Sequence, residues 1–330
     1  MTTSRRGAFA VLFPGQGSQA VGMGGAMAEA FPAAAQVMQA AERVFPGLWK
    51  VCREGPEELL RQTVYTQPAV LAVSVALWEV FRREAGRTPA AAAGHSLGEY
   101  TALVAAGAMP FEAALAVVRA RAEAMEAALP GGRGSMGAVI GLEDEVVEAI
   151  CEEVSRRRSP LSGEPAPASV VAANFNAPGQ VVVSGLIEAL DEVREAAVRA
   201  GGRYVPLPVS GPFHSPFMAP AARTFAPVLE RTPMQSPAFP VVANVTARPM
   251  PGNARAMQEL LVAQVTSPVR WAGALRAMAA MGVSHFVEIG PGKALTGMVR
   301  RTLPDAVALS VQDPPSLDAA LARLKGDGLI

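Results

Sequence analysis

Apolar positions fall into two alternating patterns along this chain. Ala8 to Phe13 (AFAVLF) is a continuous apolar run halted by Pro14-Gly15, which predicts a short buried strand. Pro68 to Glu84 is apolar at helical spacing with arginines near its end, which predicts a helix. Thr88 to Gly94 is a small-residue segment with weak strand propensity, and Glu99 to Ala106 and Phe111 to Leu129 read as helices. A further strand is expected at His285 to Ile289, closed by Gly290-Pro291-Gly292. Strands alternating with helices define an α/β class with a mainly parallel sheet.

The pattern changes between Ser135 and Pro206. Met136 to Ile140 reads as a strand and Glu143 to Arg157 as a charged helix. Val170 to Asn174 and Gln180 to Ser184 flank Asn176-Ala177-Pro178-Gly179, a hairpin signal. Leu186 to Ala200 is an amphipathic helix ended by two glycines, and Arg203 to Leu207 closes with a strand. The order βαββαβ is that of a ferredoxin-like unit. The expected organisation is therefore one body, residues 1–134 and 207–330, interrupted by a small domain at 135–206. The 330-residue length suits this, at roughly 150 residues per domain.

Composition narrows the function classes. Half of the residues are hydrophobic and 18% are charged, which excludes a disordered chain. Twenty-nine basic against 29 acidic side chains leave no excess to neutralise phosphates, so no nucleic-acid partner is expected. Two cysteines cannot build a disulfide framework, and three histidines argue against a multi-histidine metal site. The longest apolar stretch, Pro68 to Trp78, is shorter than the roughly 20 residues a membrane span requires. Ser4-Arg5-Arg6 before Ala8 to Phe13 faintly resembles a twin-arginine export signal, but the run is short and lacks a cleavage site. The expectation is a cytoplasmic protein with no membrane association.

Gly94-His95-Ser96-Leu97-Gly98 matches G-x-S-x-G, in which flanking glycines let a strand turn sharply into a helix and expose the serine hydroxyl. The five residues alone fit equally a glycine-flanked turn with a surface serine. A serine nucleophile needs a base. His95 neighbours Ser96, and a sharp turn sends adjacent side chains apart; His285 opens an apolar strand and reads as structural. Elimination leaves His214, in the Pro/Gly-punctuated loop Val209 to Pro216. The glycine-rich segment Pro14 to Gln19 is open to two readings: a dinucleotide loop lacking its distant acidic residue, or a donor of backbone N–H to an oxyanion.

Several segments, in order and over nearly the whole chain, resemble the malonyl-CoA:acyl carrier protein transacylase family. They are Phe13-Pro14-Gly15-Gln16-Gly17-Ser18-Gln19, Gly94 to Tyr100, Asn174 to Gln180, Gly211-Pro212-Phe213-His214-Ser215 and Glu288 to Lys293. The resemblance implies an α/β-hydrolase-like large domain with a ferredoxin-like insertion. It further implies malonyl-CoA as substrate, an acyl carrier protein as partner, and no metal or redox cofactor. Position by position, Ser96 matches the acylated nucleophile and His214 the base. The backbone N–H groups of Gln16 and Leu97 match the oxyanion hole, and Gln264 the residue whose backbone carbonyl orients the histidine. Arg121 matches the arginine that grips the malonyl carboxylate; the sequence alone allows Arg119 and Arg121 simply to be solvated. No aspartate completes a triad in this family. Gln67, Asn174 and Gln180 match polar residues near the acyl pocket, and Phe213 is placed to narrow it against an α-methyl branch. The segment from Arg156 to Ala168 is longer and richer in proline than the family pattern. Arg156-Arg157-Arg158 suits either an acidic carrier or a helix C-terminus. A free-standing polyketide-synthase acyltransferase, an acyl hydrolase and, more remotely, a nicotinamide-dependent dehydrogenase are the rival functions.

Overall fold

The computed structural model describes residues 7–129, 132–158 and 168–330. The Ser4-Arg5-Arg6 segment and nearly all of the Ser159 to Ala168 loop lie outside the described residues. Among the described residues, nine strands form two sheets: β1 (Ala8–Phe13), β2 (Ala91–Gly94), β3 (Gly134–Ile140), β4 (Val170–Ala177), β5 (Gln180–Leu186), β6 (Arg203–Pro206), β7 (Val241–Val242), β8 (Val283–Ile289) and β9 (Val307–Val311).

The five-stranded sheet has the order β7-β2-β1-β8-β9, and every pairing in it is parallel. Its centre, β1, is buried on both faces, as a continuous apolar run requires. The helix Thr63–Ala85 packs against this sheet and is buried on nearly every side. It starts five residues before the expected Pro68. Pro68 is the sixth residue of this helix, where it leaves the Val64 carbonyl without its usual N–H partner. The full helix is long and apolar enough to cross a membrane, unlike the shorter stretch measured in the sequence. Yet 83% of its most apolar window is buried inside the protein, so it is a core helix here.

The second sheet is antiparallel with the order β4-β5-β3-β6, and the helices Asp144–Arg158 and Ile187–Arg199 lie against it. Strand alternation assigns its two faces. Val139, Val181 and Val183 point toward those helices, whereas Met136, Ala138 and Val182 join the core of the main body. The sheet is also tied to the body by backbone bonds, Phe175 N–H to Val269 O and Val269 N–H to Ala173 O, both 2.9 Å. Arg156 and Arg157 pair with Glu153, one turn back, and Arg158 pairs with Glu192 of the neighbouring helix. That arginine run is thus at least partly engaged at a helix C-terminus.

Candidate active site

The carboxyl ends of β1, β2 and β7 meet at one point, the usual location of a site on a parallel sheet. β2 runs into the turn Gly94 to Gly98 and out along the helix Gly98–Ala105. Three glycines make that turn possible. A Cβ at Gly94 would lie 1.9 Å from the Gly98 carbonyl, one at Gly98 would lie 2.2 Å from Phe13 O, and one at Gly15 would lie 2.6 Å from His95 O. The turn after β2 and the loop after β1 therefore touch backbone to backbone.

Ser96 sits in the left-handed region with φ 52°, a conformation that costs a non-glycine residue about 1–3 kcal/mol. Asn244, just past β7, holds it there. Its Oδ1 accepts from Ser96 N–H at 2.8 Å and its Nδ2 donates to Gly94 O at 2.7 Å.

The Ser96 hydroxyl lies 2.7 Å from His214 Nε2, and His214 Nδ1 lies 2.9 Å from the backbone oxygen of Gln264. A carbonyl only accepts, so the geometry assigns the proton to Nδ1 and leaves Nε2 to receive the Ser96 proton. His214 is 4% exposed. Burial, reinforced by the nearby Arg121 charge, pushes its pKa down to about 3. An imidazole can act as a base only in its neutral form, so a base with a lowered pKa keeps working toward acid. Labelling of Ser96 by a fluorophosphonate should therefore stay level from pH 8 to about 5. A half-loss centred near 6.5, the value of an ordinary histidine, would contradict this assignment.

Arg121, from the helix Phe111–Ala127, is completely buried. Its Nη1 donates to Gln67 Oε1 at 2.7 Å; its Nη2 donates to Gln264 Oε1 at 2.9 Å and to Ser96 Oγ at 3.1 Å. Burial lowers its pKa, but a guanidinium keeps its charge. Arg119 behaves differently: it pairs with Glu123 at the surface, with its guanidinium 4.4 Å from the Phe45 ring centroid. Of the two arginines that could have been solvated, only Arg119 is.

A cavity of about 220 Å³ opens over Ser96, with Gln16, Leu97, Asn174, Phe213 and His214 on its wall and Met125, Met136 and Met298 supplying apolar surface. A larger, open groove of about 620 Å³ beside Glu79 and Phe111 holds no nucleophile or histidine. Gln16 and Leu97 line the Ser96 cavity, and their backbone N–H groups donate to no other group among the described residues. They are free to bind an oxyanion. Gln67 also lines the cavity and, as above, bonds Arg121. The loop after β1 departs from a dinucleotide fold, because the next helix, Gly25–Ala30, begins ten residues after Gly15 rather than directly at the loop.

One residue matched to the pocket is not brought to it. Gln180 opens β5 at the hairpin turn, where its Oε1 accepts from Arg301 at 3.4 Å; Val182, on the same face two residues further, lines the cavity instead. Sequence reasoning also gave no role to Asn244, Glu99 or Asn176. Asn176 Oδ1 meets His95 Nε2 at 2.8 Å, which turns His95 away from the Ser96 hydroxyl. The signal for Asn244 was its place after Val241-Val242, at the carboxyl end of a parallel strand.

A serine at a strand-to-helix turn, a histidine in contact with it, two unengaged amides and a buried guanidinium on an α/β fold form an arrangement suited to acyl transfer. The acyl transferase domain family model matches residues 10–318. The chain is 42% identical to the malonyl CoA-acyl carrier protein transacylase of Salmonella typhimurium over 317 residues, covering 96% of this chain and 99% of the relative. An acyl carrier protein S-malonyltransferase from Vibrio cholerae superposes with a TM-score of 0.89 at 41% identity, covering 95% of this chain and 99% of that one. A malonyl-transacylase in complex with a type II polyketide synthase acyl-carrier protein superposes with a TM-score of 0.90 at 42% identity, covering 96% and 99%. The chain belongs to the malonyl CoA-acyl carrier protein transacylase family of acyltransferases.

Proposed function

We propose that the protein moves a malonyl group from malonyl-CoA to the phosphopantetheine thiol of an acyl carrier protein, through a malonyl ester on Ser96. His214 takes the Ser96 proton as the oxygen attacks the thioester carbonyl, and the oxyanion falls on the Gln16 and Leu97 amides. Collapse expels the CoA thiolate, which takes the proton from His214. The carrier thiol then gives its proton to His214, attacks the ester, and Ser96 leaves with that proton. The observation that carries this reading is the buried Arg121 3.1 Å from Ser96 Oγ, a cation fixed where a malonyl carboxylate would lie. An acyl hydrolase would be better served by a neutral residue there. The chemistry calls for no metal or redox cofactor, and Phe213 on the cavity wall favours malonyl over a branched homologue.

The same reading treats the parallel sheet with its helices as an α/β-hydrolase-like body and residues 135–206 as a ferredoxin-like insertion. The order β4-β5-β3-β6 with two helices supports the latter. A cytoplasmic location fits a CoA-dependent reaction and two free, buried cysteines, Cys52 and Cys151. Both fatty acid and polyketide assembly use such a carrier, and one structural relative is bound to a polyketide carrier.

The test is incubation with malonyl-CoA and a phosphopantetheinylated carrier. Intact-mass spectra should show the carrier gaining one malonyl group within the time that CoA is released. Release of CoA and malonate with no gain on the carrier would overturn the proposal in favour of hydrolysis.

A further inference from the structure

We propose that Glu99 is a positioning residue for acyl selection: through the Gln264 side-chain amide it sets the plane of Arg121 for the malonyl carboxylate. The inference rests on the malonyl-transfer reading above. Glu99, Gln264 and Arg121 are each no more than 1% exposed, so no water competes for their bonds.

The hydrogen-bond count fixes the arrangement. Both donors of Gln264 Nε2 are used, one on Glu99 Oε2 and one on Ser96 O at 3.0 Å. Its Oε1 therefore faces Arg121 Nη2. The other Glu99 oxygen accepts from Asn244 N–H at 3.2 Å, and the Asn244 side chain in turn holds Ser96 N–H. One carboxyl group thus anchors both the residue that orients the arginine and the residue that orients the nucleophile. Burial pushes the Glu99 carboxyl up to about 8, against the pull of these donors and of the Arg121 charge.

An amide placed between the Glu99 carboxyl and the Arg121 guanidinium has a chemical consequence. A carboxylate in direct contact with Arg121 would occupy its fork and repel the incoming malonyl group. Gln67 and Gln264 instead supply neutral acceptors on Nη1 and Nη2. Nη2 uses its two N–H groups on Gln264 and Ser96 Oγ, but Nη1 keeps a second N–H and Nε has no partner among the described residues, so donors remain for the substrate. Asn244 and Gln264 both demand an acceptor from Glu99. Glutamine at 99 can satisfy only one of them, and when it turns its NH₂ to Gln264, that amide flips and presents NH₂ to Arg121.

The test compares malonyl- and acetyl-CoA as donors for Ser96 acylation in wild type, Glu99→Gln, Gln264→Leu and the double variant. Gln264→Leu keeps the backbone carbonyl that meets His214 and removes only the amide. Each single variant should lower the malonyl-to-acetyl ratio of kcat/KM at least tenfold, mainly through a higher KM for malonyl-CoA. The double variant should lose no more than the worse single one, because the two act in series. An unchanged ratio, or an equal loss for both acyl groups, overturns the inference and reduces Glu99 to a structural role. Should Glu99→Gln fail to fold by circular dichroism, the ratio in Gln264→Leu decides. A wild type that takes no malonyl group on Ser96 overturns the proposed function itself, which the variant ratios cannot mimic.

Discussion

Ser96→Ala should take up no malonyl group from malonyl-CoA, and its transfer rate should fall by about 10³-fold or more. The substitution removes one oxygen and adds no volume, and alanine faces the same positive φ as serine, so the turn held by Asn244 should survive. His214→Ala should cost about as much, because the hydroxyl is a weak nucleophile without its base. The double variant should be no slower than either single one. Residues that act as a unit lose their joint contribution once, and the remaining rate comes from the two amides and from substrate positioning. Intact-mass spectra follow the acyl-enzyme and CoA release follows turnover. A Ser96→Ala protein that still gained one malonyl group would place the nucleophile elsewhere.

The proposed nucleophile and base could be picked out in the sequence because each carries a local mark. Ser96 stands between two glycines at a spacing that suits a close backbone turn, and that close approach is seen in the contacts of Gly94 and Gly98. His214 was reached by elimination among three histidines, and His95 and His285 do have other partners, Asn176 and Asp327. The strand β1 was read to the residue, since a continuous apolar run ended by Pro-Gly leaves little choice. The strand β7 was not: two valines have no period, and they are strand only because they pair with β2. Asn244, Glu99 and the Gln264 side chain were illegible for a related reason. Their roles exist only through contacts between residues 143 to 168 positions apart, which no local spacing records. Gln180 shows the reverse error. Its motif reaches the pocket at Asn174, but the hairpin turn leaves Gln180 at the start of β5 against Arg301.

Replacing Arg121 should expose the largest selectivity effect. For Arg121→Ala, kcat/KM with malonyl-CoA should fall by about 10²–10³-fold, the worth of two charge-assisted hydrogen bonds at about 1.5–3 kcal/mol each, partly offset by relaxation. Acetyl transfer carries no carboxylate to lose, so the malonyl preference should collapse even where both rates decline. Arg121→Lys should recover little. A lysine is a point charge on a flexible stem and cannot bond Gln67, Gln264 and a carboxylate in one plane. The substitution also has a pH signature. Arg121 is one of the charges that depress His214, second only to burial. Its removal should raise the His214 pKa, so the acid limb of the Ser96 acylation profile should move to higher pH in Arg121→Ala. Paired pH profiles of wild type and variant measure this shift with acetyl-CoA, whose own charge does not report on the lost ion pair. A variant with an unmoved acid limb and an intact malonyl preference would show that Arg121 contacts neither the substrate nor the field around the base.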